Sequence, residues 1–202
     1  MNIVMITEAD DPRTSGAVRS VLALVSELRR LGHRVLVITP QAGGASFAKD
    51  ELGTLRVPML KAAGGEFGVR SPLSPAQAQT VSDFQPHTIH LQHPFVLGPL
   101  AVRVATSHGV PLVFTYNSRF DREVATQWPA LKRLAGDLAV RYCDLADAVV
   151  VPGSSAATFL RGRGIGTPVE IVRAGVEPAL PFAGDRRMGC AELNLDPNSF
   201  VV

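Results

Sequence analysis

Two hydrophobic patterns alternate along the chain: short runs of consecutive apolar residues, and longer segments in which apolar residues recur at helical spacing. The short runs predict buried strands at residues 2–7, 34–39, 55–57, 87–91, 111–115, 148–151 and 169–172. The longer segments predict helices at residues 16–31, 74–83, 99–108, 129–146 and 154–163. Apolar strands that alternate with helices are typical of a parallel sheet covered on both faces. We therefore predict an α/β fold: a Rossmann-like, doubly wound domain with a mostly parallel seven-stranded sheet.

The opening strand, helix and strand show this pattern most clearly. The helix at 16–31 places its apolar residues on one face, namely Val18, Val21, Leu22, Val25 and Leu28. Ser15 is a suitable N-cap before it, and Gly32 follows it in the position of a C-cap glycine. Pro40 ends the second strand. Together these segments predict a βαβ unit.

Two later segments are less regular. Residues 61–76 are rich in Gly, Pro and Ala and are predicted to form a loop. The helix at 129–146 is predicted to have one apolar face, formed by Leu131, Leu134, Leu138, Tyr142 and Leu145.

The pattern changes after Gly175. Turn-forming residues become frequent there, at Pro178, Pro181 and Gly184. A short helix is predicted at 186–193, and a strand that is only beginning is predicted at 199–202. We expect residues 1–175 to complete one domain, and residues 176–202 to be a linker and the truncated start of a C-terminal domain.

Composition and charge narrow the classes of protein. The 202 residues include 20 basic and 18 acidic ones, which argues against nucleic acid as a partner held by bulk electrostatics. Cys143 and Cys190 are too few for a disulfide framework and lack metal-ligand spacing, so they fit a reducing cytosol. No apolar run approaches the roughly 18 residues that a membrane span requires. We expect a cytoplasmic protein without a bound metal.

The loops after the strands are the candidate sites, because ligands of open α/β sheets bind beyond the carboxyl ends of the strands. The first of these loops leads into a helix that begins near Gly16. A residue without Cβ lets a phosphate or a sugar approach the free amides of a helix N-terminus. A tight turn is an equally good explanation of Gly16.

Two classes of nucleotide-binding enzyme lack their motifs here. Residues 10–16 read DDPRTSG, without the GxGxxG fingerprint, and the strand at 34–39 ends without an acidic residue for a ribose. No GxxxxGK[ST] sequence occurs either. These absences weaken a dinucleotide-dependent oxidoreductase and argue against a P-loop enzyme.

Polar residues cluster at the end of the strand at 87–91. His90 and Gln92 share one face by strand alternation, and His93 begins the loop. A polar ligand-binding loop and a structural histidine are both open interpretations. A zinc site is the weakest, because neither cysteine nor carboxylate accompanies the two histidines.

A second polar cluster follows the strand at 111–115. Asn117, Ser118 and Arg119 offer an amide, a hydroxyl and a guanidinium, which can bind a polyol or a phosphate. Loop capping with a surface ion pair is the alternative. The residues by themselves indicate a sugar- or nucleotide-handling α/β domain and no particular reaction.

The motifs in their order resemble a known family. The segments that carry the resemblance are LGHRVLVITP at 31–40, IHLQHPFVLG at 89–98, VPLVFTYNSRF at 110–120, ADAVVVP at 146–152 and VRAGVE at 172–177. The chain resembles the N-terminal domain of the GT-B fold, family 4 retaining glycosyltransferases, near the diacylglycerol glucosyltransferase and mannosyltransferase branch. The resemblance covers approximately the whole chain.

The resemblance implies two Rossmann-like domains with a cleft between them. The N-terminal domain binds a lipid or sugar acceptor, and the missing C-terminal domain holds most of the nucleotide-sugar donor. The donor is a substrate, UDP- or GDP-linked, and no other cofactor is implied. Peripheral contact with the inner face of a membrane is a further expectation for a lipid acceptor.

The resemblance also implies roles for particular residues. Gly16 and Ala17 lie beside the donor phosphate or sugar, and three residues line the acceptor side, His93, Pro94 and Phe95. Asn117 and Ser118 are the expected catalytic pair, and Arg119 is expected to bind substrate. Asn117 stands where the family usually has a histidine that contacts the transferred sugar.

Other departures from the family pattern lie nearby. His87 and Gln92 replace the aspartate and the second histidine of the family's Pro-Asp-x-x-His-x-His run, and Ser15-Gly16 replaces two consecutive glycines. An asparagine donates hydrogen bonds but carries no positive charge near pH 7. The resemblance implies retaining hexosyl transfer, with this chain as the acceptor-side half that is inactive alone. The departures leave a non-catalytic sugar- or lipid-binding domain as the alternative.

Overall fold

The structure is a computed structural model that describes residues 1–8, 16–40, 53–57, 59–61, 68–70, 73–117, 132–173, 175, 186–192, 194–196 and 198. Its strands are β1 (Asn2–Ile6), β2 (Arg34–Pro40), β3 (Thr54–Val57), β4 (Met59–Lys61), β5 (Gly68–Arg70), β6 (Thr88–Leu91), β7 (Leu112–Thr115), β8 (Ala148–Val151) and β9 (Val169–Ile171). Its helices are α1 (Gly16–Arg30), α2 (Pro75–Phe84), α3 (Gly98–His108), α4 (Lys132–Leu145), α5 (Ser154–Gly162) and α6 (Arg186–Glu192).

The main sheet has seven strands in the order β3-β2-β1-β6-β7-β8-β9, and every neighbouring pair is parallel. This confirms the predicted doubly wound α/β fold. The chain adds strands to one side of β1 and then, from β6 onward, to the other side. Ile6 pairs with Leu91 at this switch point, so the residues that follow β1 and β6 lie next to each other.

Strand alternation divides the core between the two faces of the sheet. One face carries Val4, Ile6 and Leu91 and packs in a cluster with residues of α2, α3, α4 and α5. The other face carries Ile3 and Met5, which pack against α1. His90 pairs with Met5 in register and therefore lies on the α1 face.

Local signals explain several helix ends. Ser74 and Gln77 form a reciprocal capping box at the start of α2, with Pro75 in its first turn. Gly32 follows α1 with φ of +83°, and its N–H donates to the Arg29 carbonyl at 2.9 Å. The predicted cap Ser15 and the predicted strand at 199–202 lie outside the described residues.

The loop prediction for residues 61–76 is wrong in part. Gly68–Arg70 forms β5, which pairs antiparallel with β4, whereas α2 begins at Pro75, next to the start predicted for the helix at 74–83. Strands of three residues are too short to show an alternating pattern, so only the pairing of the two backbones reveals them.

The predicted apolar face of the helix at 129–146 is also wrong in part. Leu134 and Leu145 are 64% and 56% exposed, Leu138 is half-buried, and Leu131 lies outside the described residues. Tyr142 is buried as predicted, together with smaller residues, namely Ala135, Ala139, Cys143 and Ala146. Both sets have helical spacing, and the smaller side chains let α4 pack closely on the sheet.

Candidate functional site

The candidate site lies at the carboxyl edge of the sheet, where backbone hydrogen bonds continue past the strands. Gln92 N–H donates to the Ile6 carbonyl at 2.9 Å, and Tyr116 N–H donates to the Val150 carbonyl at 2.8 Å. These bonds fix the first residues of the loops after β6 and β7. Side chains at the ends of β1, β6 and β7 are therefore held in a defined arrangement.

A polar network connects β6 and β7 on the α1 face. The Thr115 hydroxyl lies 2.6 Å from His90 Nε2, and Gln92 Nε2 lies 3.1 Å from the same nitrogen. Gln92 Nε2 also approaches Met5 Sδ at 3.2 Å and Thr115 Oγ1 at 3.5 Å. Strand alternation predicts the shared face of His90 and Gln92, but Met5 and Thr115 carry no sequence signal for this role.

Asn117 joins the network from the loop after β7. Its Nδ2 donates to Gln92 Oε1 at 3.0 Å, and its side chain is half-buried at the sheet edge. The predicted catalytic amide therefore stands at the edge on a chain of hydrogen bonds that leads back into the sheet. Its predicted neighbours Ser118 and Arg119 lie outside the described residues.

His90 is held neutral by its surroundings. Burial removes water from the imidazole and lowers its pKa from 6.5 to about 4. Near neutral pH the network therefore contains amides, a hydroxyl, a thioether and an uncharged ring. Such a set can direct hydrogen bonds, but it does not supply a proton donor of the kind that an imidazolium would be.

The three residues predicted on the acceptor side occupy different environments. His93 is half-buried, and its Nδ1 lies 3.4 Å from Thr7 Oγ1 at the end of β1. Pro94 is buried, and Phe95 packs partly buried against the larger core cluster. His93 thus faces the β1 side of the switch point, whereas Gln92 faces β7.

The zinc interpretation of the two histidines finds no support in the described part of the chain. His90 Nε2 is engaged by Thr115 and Gln92, whereas His93 contacts Thr7. Among the described residues, no group of three or more His, Cys, Asp or Glu side chains converges as metal ligands would.

Glu8 is a residue at this edge that the sequence analysis missed. Its Oε1 accepts from the backbone N–H groups of Val96 and Leu97, the latter at 2.8 Å, at the start of α3. Leu97, the N-cap residue, provides no side-chain cap of its own. The Glu8 carboxylate, just past the end of β1, therefore caps the start of α3.

Tyr142 of α4 packs beside this cap. A Cβ on Gly98 would lie 2.5 Å from Tyr142 Cζ and 2.6 Å from its hydroxyl oxygen, so a larger residue there would require the Tyr142 ring to move. Burial raises the pKa of Tyr142, and the negative charge of Glu8 raises it further. The Tyr142 ring thus packs α4 directly against the first turn of α3.

Gly16 and Ala17, the predicted donor-side residues, are the first two residues of α1. Because α1 leaves β1 and returns to the amino end of β2, its N-terminus lies at the carboxyl edge on the face that carries the His90 network. Their side-chain surroundings lie outside the described residues. The topology therefore brings the predicted donor side and Asn117 to one edge and one face.

Comparison with known proteins gives one family match and several curated relatives. The model of Glycosyltransferase Family 4 matches residues 14–180. A GDP-mannose-dependent alpha-mannosyltransferase of Corynebacterium glutamicum is 31% identical over 58% of this chain and 29% of its own length. An Alpha-monoglucosyldiacylglycerol synthase of Acholeplasma laidlawii is 28% identical over 75% of this chain and 40% of its own length. The chain spans well under half the length of these two relatives.

Solved structures share the fold at low sequence identity. The Staphylococcus aureus MnaA–UDP complex matches 84% of this chain and 42% of its own, with a TM-score of 0.53 and 14% identity. Arabidopsis thaliana UGT89C1 complexed with quercetin matches 95% of this chain and 54% of its own, with a TM-score of 0.54 and 15% identity. None of the helices within the described ranges combines the length and apolar character that a bilayer crossing requires.

Proposed function

Because the chain belongs to glycosyltransferase family 4, we propose that it takes part in transferring a hexosyl group from a nucleotide sugar to a lipid or sugar acceptor with retention of configuration. In this proposal the chain is the acceptor-side half of the enzyme, and a C-terminal domain supplies most of the donor site. The observation that carries the proposal is the Asn117 amide, held by Gln92 at the carboxyl edge of the sheet at 3.0 Å. That edge is where open α/β sheets bind their ligands.

The names of the relatives support the substrate class. They describe a GDP-mannose-dependent mannosyltransferase and a synthase of monoglucosyldiacylglycerol. We expect a UDP- or GDP-linked hexose as the donor and a lipid such as diacylglycerol, or a sugar, as the acceptor. A lipid acceptor would bring the protein to the inner face of the membrane as a peripheral, cytoplasmic enzyme.

Different residues bind the nucleotide-sugar donor and the acceptor. The first amides of α1, at Gly16 and Ala17, face the donor phosphate or sugar, where a helix N-terminus stabilises negative charge. Asn117 hydrogen-bonds a hydroxyl of the transferred sugar, with Ser118 and Arg119 beside it. The acceptor side is lined by His93, Pro94 and Phe95.

The chemistry that this half contributes is electrostatic and positional. Departure of the nucleoside diphosphate places negative charge on the leaving group and positive charge on the sugar ring, and aligned dipoles stabilise both as they develop. The described network offers fixed dipoles and a neutral His90 rather than a charged side chain. Binding two substrates in alignment is the remaining contribution of the fold.

Substitution of Asn117 tests this proposal in the protein that carries both domains. Asn117→Ala is expected to lower kcat by on the order of 10²–10³, as loss of one stabilising group at an electrostatic site does. Transfer from GDP-mannose and from UDP-glucose to diacylglycerol is measured by mass spectrometry of the lipid product. Gln79→Ala on α2, an exposed site, is the matched control and is expected to retain full activity. Unchanged transfer by Asn117→Ala would contradict the assigned role.

A non-catalytic binding domain is the second candidate, favoured by the uncharged network around Asn117. Asn117→His discriminates between the two, because it introduces the residue that the family usually carries. A large gain in turnover supports a domain that has lost its chemistry. No change or a loss indicates that Asn117 is the working residue.

A further inference from the structure

We propose that Gln92 is a positioning residue that orients the Asn117 amide with its nitrogen toward the sheet and its carbonyl oxygen toward the cleft, so that the site accepts a hydrogen bond from a substrate hydroxyl. This inference rests on the proposed function for the identity of the ligand. The orientation itself follows from the hydrogen bonds of the described residues.

Gln92 is 2% exposed and must therefore satisfy its amide within the protein. An amide can be placed in two ways that exchange its oxygen and nitrogen, so its partners decide which is present. One end of the Gln92 amide meets Met5 Sδ at 3.2 Å and His90 Nε2 at 3.1 Å. The other end meets Asn117 at 3.0 Å.

Met5 determines which end of the Gln92 amide is the nitrogen. A thioether sulfur has no hydrogen and only accepts, so the group 3.2 Å away must be the donor Nε2 of Gln92. The reverse orientation would place the Gln92 carbonyl against the sulfur lone pairs. Gln92 Oε1 therefore points away from Met5, toward the loop after β7.

The orientation of Gln92 determines the tautomer of His90. Gln92 Nε2 only donates, so the His90 Nε2 that faces it must be the unprotonated nitrogen of a neutral ring, with its hydrogen on Nδ1. That nitrogen has one lone pair, which the Thr115 hydroxyl, 2.6 Å away, and Gln92 Nε2 then share. Burial keeps the pKa of His90 low, so this neutral form predominates at neutral pH.

The orientation of the Asn117 amide follows from that of Gln92. Since Gln92 Oε1 is an acceptor, Asn117 must turn its Nδ2 toward it, at 3.0 Å. The Asn117 carbonyl oxygen is then turned away from Gln92. That oxygen can accept from a sugar hydroxyl and repels a phosphate oxygen, while the second Nδ2 hydrogen can still donate to a ligand. The pair suits a hydroxyl, which both donates and accepts, better than a phosphate, which only accepts.

Nuclear magnetic resonance on the 202-residue chain tests the orientation without requiring any activity. The expected result is a scalar coupling across the hydrogen bond between Asn117 Nδ2 and the Gln92 side-chain carbonyl carbon, with His90 protonated on Nδ1 at pH 7. A coupling in the opposite direction, from Gln92 Nε2 to the Asn117 side-chain carbonyl, overturns the inference. A His90 ring protonated on Nε2 overturns it too.

Kinetics of the protein that carries both domains test whether Gln92 affects turnover through Asn117. Gln92→Met keeps the approximate shape but removes both hydrogen-bonding ends, and it is expected to lower kcat about tenfold, as loss of one hydrogen bond does. The Gln92→Met, Asn117→Ala double variant is expected to be no worse than Asn117→Ala alone, because Gln92 acts through Asn117. Losses that multiply would overturn the positioning role. Gln79→Met on α2 is the exposed control.

The two tests separate this inference from the proposed function. If the couplings are observed and no hexosyl transfer occurs, the function fails while the orientation stands. If transfer occurs with the opposite coupling, the function stands and the positioning role of Gln92 is wrong.

Discussion

His90 shows at the residue scale how this fold uses hydrogen-bond direction instead of charge. The ring lies under the sheet edge, is bonded by Thr115 and Gln92, and has a pKa lowered to about 4 by burial. The neutral ring provides an acceptor for Gln92 Nε2, which fits the orientation of the Gln92 amide. Protonation would replace that acceptor with a donor and set two donors against each other.

His90 is expected to make the free energy of unfolding depend on pH in the acid range. Between pH 6.5 and about 4 the unfolded histidine binds a proton and the folded one does not. The contribution of His90 is therefore fully present above pH 6.5 and is lost as pH falls toward about 4, by at most about 3 kcal/mol. Urea unfolding of wild type and His90→Gln across this range measures it. Parallel pH profiles for the two proteins would contradict the assignment.

Gly98 gives a second prediction at the residue scale. Gly98→Ala places Cβ 2.5 Å from Tyr142 Cζ, so we expect a loss of about 1–3 kcal/mol from overpacking. Gly162→Ala in α5 is the control, because no atom lies within 4 Å of its added Cβ and alanine favours a helix. The free energies of unfolding of both variants are compared with that of wild type. Equal stability of Gly98→Ala and wild type would show that Tyr142 does not restrict this position.

The sequence predicts only part of these residue contacts. Alternation along β6 places His90 and Gln92 on one face, and the structure confirms this pairing through the 3.1 Å contact. The bond between Asn117 and Gln92 joins residues 25 positions apart and depends on the register of β6 with β7. Register is set by packing of the whole sheet, so local patterns do not reveal it.

At the scale of elements, a carboxylate just past the end of β1 caps the start of α3. Glu8 accepts from Val96 and Leu97, and its charge lies at the positive end of the helix dipole. This contact joins the residues that follow β1 to those that follow β6. It also keeps the loop after β6, with its candidate acceptor-side residues, at a fixed distance from β1.

Removal of this cap has a measurable cost. Glu8→Ala is expected to lower the free energy of unfolding by about 0.5–2 kcal/mol, as loss of a cap does. Glu27→Ala is the control, because its pair with Arg30 is exposed on both sides and contributes little. Loss of the carboxylate charge in Glu8→Gln should also lower the pKa of Tyr142, which a spectroscopic titration detects. A Tyr142 pKa unchanged in Glu8→Gln would show that the two groups do not interact.

Helices proved more predictable than short strands. The described helices begin and end close to the predicted limits, because helical spacing and caps such as Ser74 are local signals. The β4–β5 pair was missed because each strand has three residues. The prediction for the buried face of α4 is wrong in part because it places leucines there by their hydrophobicity. Close packing on the sheet instead favours a smaller side chain, as at Ala139.

At the scale of the whole molecule, the strand order concentrates polar loops at one place. Strands are added outward from β1 in both directions, and the switch between β1 and β6 is the place where open α/β sheets bind their ligands. The pattern of apolar runs predicted the seven strands, while their order requires the pairing of distant segments. The domain division near residue 175 stays a prediction, as does a donor-binding domain beyond it.

The most direct measurement is the product formed by the protein that carries both domains, supplied with a nucleotide α-hexoside, GDP-mannose or UDP-glucose, and diacylglycerol. The anomeric configuration of the new glycosidic bond is read by nuclear magnetic resonance. We predict an α-linked lipid hexoside, formed by that protein and not by residues 1–202 alone. A β-linked product would contradict retention, and turnover by the 202-residue chain alone would contradict its assignment as the acceptor-side half.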